Sequence, residues 1–297
     1  MAFKSGFVAV IGKPNVGKSS LVNELVGEKV SITSPKAQTT RNRIFGIKNT
    51  KDYQIVFVDT PGIQHTQTKL GEYMTIATEG ATADVDAIVI VLDALRINQE
   101  DFKIIEKYQN VKCPVFLVIN KIEITNFEKM YPILAKLNNY TFIKKFITTS
   151  AIRKINIDDL EKSLVECLPE SHPYYPQDEY TDKSVRFMCQ EIIREKALLY
   201  LQEEIPHGLA IDISNFDESS DKIIKISADI ITDNARHKQI IIGANGDMLK
   251  KIGVCARQDI EKLVGKKVML ELFVKVKKDW KDDIVTLNDL GFSKKDI

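Results

Sequence analysis

The sequence predicts two domains, a doubly wound α/β domain with a mostly parallel sheet and then a smaller α+β domain. In the first half, short apolar runs rich in β-branched residues alternate with amphipathic segments, as in parallel strands buried on both faces. Residues 169–182 hold three prolines and carry no apolar period, which indicates a linker. Beyond this linker the order of elements changes to αββααβ, and 297 residues are enough for two cores.

The first domain is predicted at 1–168, with strands and helices in strict alternation. Its strands are predicted at 7–11, 53–58, 87–92, 114–119 and 142–149. Its helices are predicted at 17–26, 68–83, 99–110, 127–138 and 157–168.

The second domain is predicted at 183–280, and residues 281–297 follow it as a C-terminal tail. It starts with a helix at 183–203 and continues with strands at 209–216 and 222–231. After a turn bounded by glycines at 243–246 come a helix at 247–264 and a strand at 267–276.

Composition excludes several classes of protein. No apolar stretch is long enough to span a membrane, and the apolar run near the N-terminus is too short for a signal peptide. The four cysteines lie far apart without a CxxC spacing, so we expect no disulfide framework or zinc site and a reducing cytosol. The net charge is only +1, but Arg236 to Lys281 hold twelve Lys/Arg against five Asp/Glu. That basic stretch is a candidate nucleic-acid surface, although most such stretches are simply solvated faces.

The strongest motif is GKPNVGKS at 12–19, which follows a predicted strand and opens a predicted helix. Its two glycines let backbone N–H groups turn toward phosphate oxygens, and the helix N-terminus favours an anion. We expect Lys18 to contact the β- and γ-phosphates and Ser19 to offer its hydroxyl to Mg²⁺. The whole loop is therefore predicted to bind nucleotide: Gly12, Lys13, Pro14, Asn15, Val16, Gly17, Lys18 and Ser19.

Four further motifs distinguish a GTPase from other P-loop proteins. DTPG at 59–62 places Asp59 near Mg²⁺ and the Gly62 N–H near the γ-phosphate, and SPKAQTTRNR at 34–43 supplies a metal-binding threonine, Thr40 rather than Thr39. NKIE at 120–123 and TSA at 149–151 each follow a predicted strand. The metal ligands are predicted to be Ser19, Thr40 and Asp59, and the catalytic residues Lys18 and Thr40. The motifs add these nucleotide-binding candidates: Asp59, Thr60, Pro61, Gly62, Ile63, Asn120, Lys121, Glu123, Ser150 and Ala151.

The order GxPNVGKS, TTR, DTPG, NKx[D/E], SA resembles the translation-factor-class GTPases and, most closely, the Era family. The resemblance implies an α/β P-loop GTPase domain followed by an RNA-binding KH domain. It carries guanine binding over to Asn120 and Lys121, and it implies GTP hydrolysis and binding of the 3′ end of small-subunit ribosomal RNA during ribosome maturation. It also implies a monomeric cytoplasmic protein with weak peripheral contact at the inner face of the cell membrane. Loss of the γ-phosphate is expected to release 34–43 and 60–72.

Three positions depart from familiar patterns. Glu123 replaces the aspartate that reads guanine in the family, which keeps the charge but adds a methylene, and Lys154 replaces a glycine shortly after Ser150. Ile63 stands where Ras-like enzymes place a glutamine that orients the attacking water. Families that share this hydrophobic residue include several in which a P-loop asparagine helps bind K⁺. Asn15 occupies the matching place, so either it helps bind K⁺ or it only shapes the loop.

Residues 240–280 resemble the core of a KH domain. Its GxxG loop consists of Gly243, Ala244, Asn245 and Gly246, and basic residues follow at Lys250, Lys251 and Arg257. Paired glycines let the backbone approach an RNA strand, while a groove beside the next helix receives about four unpaired bases. A plain helix–helix turn is the alternative for this short motif. Residues 236–243 read as a strand by composition, but the resemblance places a short helix there.

Two other classes of protein stay open on the sequence. A P-loop phosphotransferase acting on a small molecule would not explain NKIE. A non-enzymatic RNA-binding protein with a structural guanine nucleotide would be compatible with Glu123 and Ile63. His207 and His237 lack metal-ligand spacing, and Trp280 is more typical of a packing anchor than of a base-stacking residue.

Overall fold

A computed structural model of the chain describes residues 2–63, 67–125 and 127–293, except for the side chains of 127–130. The first domain holds a six-stranded sheet in the order β2-β3-β1-β4-β5-β6, in which only β2 is antiparallel to its neighbour. Its strands are β1 Lys4–Ile11, β2 Ile44–Asn49, β3 Tyr53–Asp59, β4 Ala87–Asp93, β5 Val115–Asn120 and β6 Ile143–Thr148. Its helices are α1 Lys18–Val26, α2 Lys69–Gly80, α3 Gln99–Lys107, α4 Phe127–Leu137 and α5 Ile157–Cys167.

The central strands are buried along their whole length, as their apolar runs predict. All seven residues of β4 and all six of β5 are buried. Two apolar clusters cover the two faces of the sheet, one with α1 and α5 and the other with α3. The doubly wound fold predicted from strand–helix alternation is confirmed.

Hydropathy missed one strand, β2. Its run IFGIKN is broken by Gly46, and a Cβ at that position would lie 2.9 Å from the side chain of Val22 in α1. The glycine that weakens the apolar pattern is therefore needed for close packing of the helix against the sheet.

The linker at 169–182 lies against the first domain rather than extending into solvent. The side chain of Gln54 accepts hydrogen bonds from the backbone N–H groups of Tyr174 and Tyr175, at 2.7 and 3.1 Å. The ring of Tyr174 packs on Phe7 with 4.8 Å between centroids, and Thr181 forms an isolated bridge with Gly46 in β2. These contacts fix the path along which the chain enters the second domain.

The second domain has the predicted order αββααβ and a sheet in the order β7-β8-β9. Its elements are α6 Val185–Tyr200, β7 Leu209–Asp217, β8 Ile223–Thr232, α7 Ala235–Ile242, α8 Asp247–Val264 and β9 Lys267–Val276. The apolar run before the GxxG loop is helical, as the family resemblance implied and composition did not. Asn234 caps this helix by accepting from the N–H of His237 at 2.8 Å, and Gly243 ends it with a positive φ of 76°.

The predicted tail contains a short helix, α9 Ile284–Asp289, and the last residues, 294–297, lie outside the described part of the chain. An apolar cluster joins α2 to this tail through Tyr73, Trp280, Leu287 and Phe292. Trp280 is fully buried and donates to the Gly208 carbonyl at 3.0 Å, so it is a packing anchor. Among the described residues, no helix is long and apolar enough to cross a membrane.

Candidate nucleotide site and nucleic-acid groove

The loop between β1 and α1 has backbone geometry that requires its glycines. Gly12 has φ 146°, and a Cβ there would lie 2.3 Å from the Val91 carbonyl oxygen. Gly17 has φ 95°, and its Cβ would lie 2.3 Å from the amide nitrogen of Asn120. Because α1 begins at Lys18, the N-terminus of this helix opens directly from the loop. The loop is thus shaped to present backbone N–H groups to an anion.

Lys18 is a buried cation, and no carboxylate among the described residues lies in hydrogen-bond contact with it. It is 6% exposed, and its Nζ donates to the carbonyls of Gly12 and Lys13 at 3.2 and 3.0 Å. Burial lowers the pKa of Lys18 to about 8, and the nearby charge of Asp59 only partly opposes this. A phosphate group at this position would supply the charge that the buried ammonium lacks.

Three oxygens from separate segments meet beside this lysine. The hydroxyl of Ser19 lies 2.7 Å from Asp59 Oδ2 and 2.7 Å from Thr40 Oγ1. Thr39 does not join them, because its hydroxyl donates to the Lys36 carbonyl at 2.7 Å. Two hydroxyls and one carboxylate are hard oxygen ligands, the kind that Mg²⁺ prefers.

Asp59 supports the assignment of a cation site. It is fully buried, and burial raises its pKa although hydrogen bonds from Ser19 and the charge of Lys18 oppose the shift. Its Oδ1 lies near the hydroxyl of Ser31, which also opposes the rise in pKa, but neither atom has a well-formed hydrogen bond among the described residues. A buried carboxylate oxygen without a partner is destabilising, and a bound cation with its waters would remove that penalty. These residues therefore fit Mg²⁺.

The base-reading motifs are positioned by Asn120. Its amide nitrogen donates to the Val16 carbonyl at 3.1 Å, and its amide oxygen accepts from the Ala151 N–H at 3.1 Å and the Thr149 hydroxyl at 3.2 Å. Asn120 thus ties the phosphate loop to the segment at 149–151. Lys121, in the left-handed conformation, pairs with Asp93 at 2.7 Å and donates to the Asn15 carbonyl across the loop.

Glu123 lies in a 3₁₀ turn immediately after Lys121, and its Oε2 is buried without a partner among the described residues. The N1–H and exocyclic amine of guanine are donors that would satisfy this oxygen. An adenine ring offers an acceptor at N1 instead. The unpaired oxygen therefore favours guanine as the base.

Backbone hydrogen bonds hold the loop after Ser150 in a conformation in which Lys154 stands where the family has a glycine. Ser150 and Ile155 exchange backbone hydrogen bonds of 3.2 and 3.0 Å, and Lys154 between them takes a left-handed φ of 56°. A glycine would adopt that conformation without strain, which explains the family pattern. Lys154 also pairs with Glu24 of α1 at 2.8 Å.

Several predicted residues act through backbone or packing rather than through a side chain aimed at the nucleotide. The side chain of Lys13 pairs with Asp101 at 2.6 Å, and Val16 packs in the core. The Ile63 N–H donates to the Gly12 carbonyl at 3.0 Å, while its side chain packs against the apolar cluster around α3.

The other contacts of the DTPG motif hold the loop in place. The Thr60 hydroxyl donates to the Val10 carbonyl, and the Pro61 carbonyl accepts from the Thr78 hydroxyl. A Cβ on Gly62 would lie 2.6 Å from the Pro14 nitrogen. Residues 64–66 of the predicted segment 60–72 lie outside the described residues.

A cavity of about 420 Å³ joins these parts, walled by the phosphate loop and residues 32–40. Its far wall includes Leu95, Arg96 and Ile124, which sequence reasoning missed. These three residues could have been predicted from their position, because they lie in loops at the carboxyl ends of β4 and β5, where open α/β sheets bind ligands.

The second domain carries a separate groove of about 540 Å³ between α8 and β9. Leu249, Val268 and Leu272 contribute to its apolar lining, while Lys250 and Arg257 contribute cations. Lys251 does not line the groove, because its ammonium lies over the ring of Tyr200, 4.3 Å from the centroid.

The GxxG loop lies at one end of this groove. Gly246 has φ 82° and open space around its Cβ position, whereas a Cβ on Gly243 would lie 2.7 Å from Met248. Ala244 and Asn245 form a 3₁₀ turn between the glycines, with Asn245 at φ 53°. A glycine with open space at its Cβ position, beside a groove with cations, gives a ligand backbone close access.

The phosphate loop, the oxygen cluster and the unpaired base-reading carboxylate together define a P-loop GTPase that carries a second, KH-type domain. The chain matches the family described as 50S ribosome-binding GTPase over residues 7–121 and the KH domain family over 204–281. It is 46% identical to GTPase Era of Caldicellulosiruptor saccharolyticus, with both chains covered completely, and 44% identical to GTPase Era of Alkaliphilus metalliredigens, over 98% of this chain and 100% of the relative. The chain therefore belongs to the GTPase Era family.

Two solved structures are similar over nearly the whole chain. One is Era in complex with MgGDPNP and nucleotides 1506–1542 of 16S ribosomal RNA, with 38% identity, a TM-score of 0.92, and coverage of 98% of this chain and 99% of that chain. The other is a variant of Aquifex aeolicus Era bound to GDP·AlF4⁻, with the same identity and TM-score over 98% of this chain and 100% of that chain. Membership of a GTPase family excludes the small-molecule phosphotransferase and the non-enzymatic RNA-binding protein considered above.

Proposed function

We propose that this chain is a GTP-hydrolysing switch whose second domain binds the single-stranded 3′ end of 16S ribosomal RNA during assembly of the small ribosomal subunit. The observation that carries the proposal is the open groove beside Gly246, with Lys250 and Arg257 among its lining residues, on a chain whose other domain holds the phosphate site. The RNA in the solved relative gives the substrate its identity.

In this proposal, the RNA backbone passes over the GxxG loop while unpaired bases enter the groove. Gly246 leaves room for a sugar-phosphate strand, and Lys250 and Arg257 attract its charge. The apolar lining from α8 and β9 contacts the faces and edges of the bases. A side chain on the loop would block the backbone without disturbing the domain core.

Hydrolysis in this proposal needs no covalent intermediate. Water attacks the γ-phosphorus as its bond to the β–γ bridging oxygen breaks, which gives GDP and inorganic phosphate, and Lys18 stabilises the charge that develops on the phosphate oxygens. Ser19, Thr40 and Asp59 would hold Mg²⁺, which would supply positive charge to offset that of the phosphates. Ile63 cannot orient the water, because its side chain is apolar and packs in the core.

We also propose K⁺ as a second ion, with Asn15 as its protein ligand. Asn15 has a left-handed φ of 63°, and its amide nitrogen donates to the Pro35 carbonyl at 2.9 Å, so it bridges the phosphate loop to the 34–43 segment. Loop shaping alone is the competing role. Exchange of K⁺ for Na⁺ at constant ionic strength should slow GTP hydrolysis by the wild type. Asn15→Ala should remove most of the difference between the two salts. Equal rates of the wild type in both salts would mean that Asn15 only shapes the loop.

The RNA proposal is tested by Gly246→Asp, with Gly265→Asp as its matched control. Both glycines end α8, one at each end, with φ 82° and 67° and open space around their Cβ positions. Backbone strain is therefore comparable, but only Gly246 borders the groove. Gly246→Asp should weaken binding of an oligonucleotide with the 3′-terminal sequence of 16S RNA, with GTP hydrolysis in the absence of RNA unchanged. Equal RNA affinity in the two variants would contradict the assignment of the groove.

We propose the domain division 1–168, 169–182, 183–280 and 281–297 on the basis of the two separate apolar cores. The monomeric state and the weak membrane contact stay predictions from the family resemblance.

A further inference from the structure

The segment that carries Thr40 has little structure of its own. Residues 28–43 connect α1 to β2 without a helix or strand, and Gln38 takes a left-handed φ of 59° that is unusual for a side chain of its kind. Thr40 nevertheless lies 2.7 Å from Ser19 in the metal group. The order of this segment must therefore come from tertiary contacts.

Helix α6 of the second domain supplies such contacts. Arg194 donates to the Thr39 carbonyl and, at 3.5 Å, to the Gln38 carbonyl. Its guanidinium is in turn held by both carboxylate oxygens of Glu191, at 2.7 and 2.5 Å. Arg194 is 3% exposed, so these are buried, charge-assisted hydrogen bonds.

The next residue of the helix fixes the opposite end of the segment. Glu195 accepts from the Thr33 N–H at 2.9 Å and pairs with Lys29 at 2.6 Å. Arg194 and Glu195, adjacent residues of α6, therefore contact the segment on both sides of Gln38: Glu195 before it and Arg194 after it.

A third contact lies directly beyond Thr40. Arg41 is almost completely buried, donates to the Leu209 carbonyl at 2.7 Å and lies over the indole of Trp280, 5.8 Å from its centroid. Thr40 is thus flanked by two residues, each tied to the second domain. Its hydroxyl is placed by those two anchors.

We infer that Arg194 is a positioning residue for GTP hydrolysis: by holding the Thr39 carbonyl, the second domain keeps Thr40 in place beside Ser19 and Asp59. A guanidinium fits this role because its fixed fork can bind two carbonyls and a carboxylate at once. In the absence of that fork, the carbonyls of Gln38 and Thr39 and the buried carboxylate of Glu191 lose their donors, and the segment loses its contact with the second domain immediately before Thr40.

The test compares Arg194→Gln with Arg186→Gln in the full chain. Arg186 lies on the same helix and also donates to a backbone carbonyl, that of Ile213, but within its own domain. In Arg194→Gln, hydrogen exchange of the peptide 31–43 in the nucleotide-free protein should be faster by about tenfold or more. The Mg²⁺ concentration for half-maximal hydrolysis should also rise by about tenfold or more, with GDP affinity unchanged.

Two results would overturn the inference. One is exchange in Arg194→Gln as slow as in Arg186→Gln. The other is faster exchange with an unchanged Mg²⁺ requirement, because order in the segment would then not reach Thr40. If Arg194→Gln does not fold, Arg194→Lys takes its place, because lysine keeps the charge beside Glu191 but lacks the fork. Both the exchange rate and the Mg²⁺ requirement should then lie between the values of the wild type and those expected for Arg194→Gln. Wild-type values of both quantities would overturn the inference.

Discussion

At the scale of single residues, the nucleotide site is a set of buried polar groups that lack partners of their own. Lys18 has only loop carbonyls, Asp59 has an unpaired oxygen, and Glu123 has another. Each of these groups destabilises the protein without ligand. A magnesium–guanine nucleotide complex offers the missing anion, cation and donors, so ligand affinity and relief of this penalty come from the same atoms.

Lys18→Ala should lower GTP affinity by about a hundredfold or more, because a charge-assisted contact to phosphate contributes ~3 kcal/mol. The unfolding temperature of the nucleotide-free protein should stay near that of the wild type, because removal of a buried charge offsets the loss of two hydrogen bonds. Equilibrium titration and thermal unfolding measure the two effects. Lys13→Gln is the matched control for GTP affinity: the Lys13 side chain pairs with the buried Asp101 rather than facing the phosphate site, and glutamine can still donate to that carboxylate, so affinity should stay within about threefold. Near-normal GTP affinity in Lys18→Ala would contradict its phosphate role.

Glu123→Ala should weaken GTP binding by ~1–3 kcal/mol, the effect of one unpaired polar contact. Glu123→Asp should preserve or improve affinity, because the shorter carboxylate is the family's own residue. Inosine triphosphate, which lacks the exocyclic amine, separates base reading from general damage. The wild type should prefer GTP to this analogue, and the alanine variant should lose the preference. Should the alanine variant keep both its affinity and its preference, Glu123 does not read the base.

At the scale of elements, α8 divides its basic residues between two tasks. Lys250 and Arg257 line the groove, while Lys251 is turned onto Tyr200 of α6. Adjacent lysines on a helix point about 100° apart, since a turn holds 3.6 residues. The helix thus presents cations to RNA on one side and attaches to α6 on another.

Lys250→Ala should weaken RNA binding and reduce the slope of log affinity against log salt by ~0.7, the value for one phosphate contact on a single strand. Lys251→Ala should change neither quantity by much, although it should lower stability slightly through loss of its contact with Tyr200. Titration of one RNA oligonucleotide at several salt concentrations measures both quantities. If both variants behave alike, the division of α8 into two faces has no role in RNA binding.

At the scale of the whole molecule, the second domain contacts both segments that are expected to change on hydrolysis. Helix α6 reaches the 34–43 segment through Arg194, and Trp280 of the second domain shares an apolar cluster with Leu70 of the 60–72 segment. The linker, fixed to the first domain through Gln54, limits independent movement. We therefore expect nucleotide state and domain arrangement to be coupled.

RNA should bind the protein loaded with a non-hydrolysable GTP analogue more tightly than the protein loaded with GDP, by ~1–3 kcal/mol. Linkage then requires RNA to raise affinity for the GTP analogue, relative to GDP, by the same factor. Calorimetric titration of one RNA oligonucleotide against both loaded forms measures the difference. Identical affinities would mean that the nucleotide addresses a different partner, such as a ribosomal protein.

Acid should lower the free energy of unfolding of the protein through protonation of His207. Burial, then the charges of Arg41 and Lys281, lowers the pKa of His207 below its usual 6.5. The folded protein therefore binds fewer protons than the unfolded chain, and stability falls as pH decreases below about 6.5 toward the folded pKa. His207→Gln should flatten the loss of stability between about pH 7 and pH 5 in denaturant titrations, relative to the wild type. An equal slope in His207→Gln and the wild type would assign the acid effect to other groups.

The sequence by itself determined the chemistry of the nucleotide site and the order of the elements apart from β2, α7 and α9. Loop glycines, the lysine and hydroxyl after them, and carboxylates at strand ends are local patterns, because each follows from the backbone geometry or ligand chemistry that its own segment must provide. Helix α8 and strand β9 were predicted at their observed bounds for the same reason, since their apolar patterns are continuous and glycines flank α8 at both ends.

Only the tertiary structure decided which side chains of distant segments meet. The pairing of Arg194 with the Thr39 carbonyl joins residues 155 positions apart, and no pattern in either segment indicates the other. The strand β2 was missed because Gly46 serves the packing of α1, and the helix α7 was obscured because its run of three isoleucines is typical of a strand, although only Ile241 is buried. Such contacts depend on how elements pack after they form, which is why they are absent from local sequence patterns.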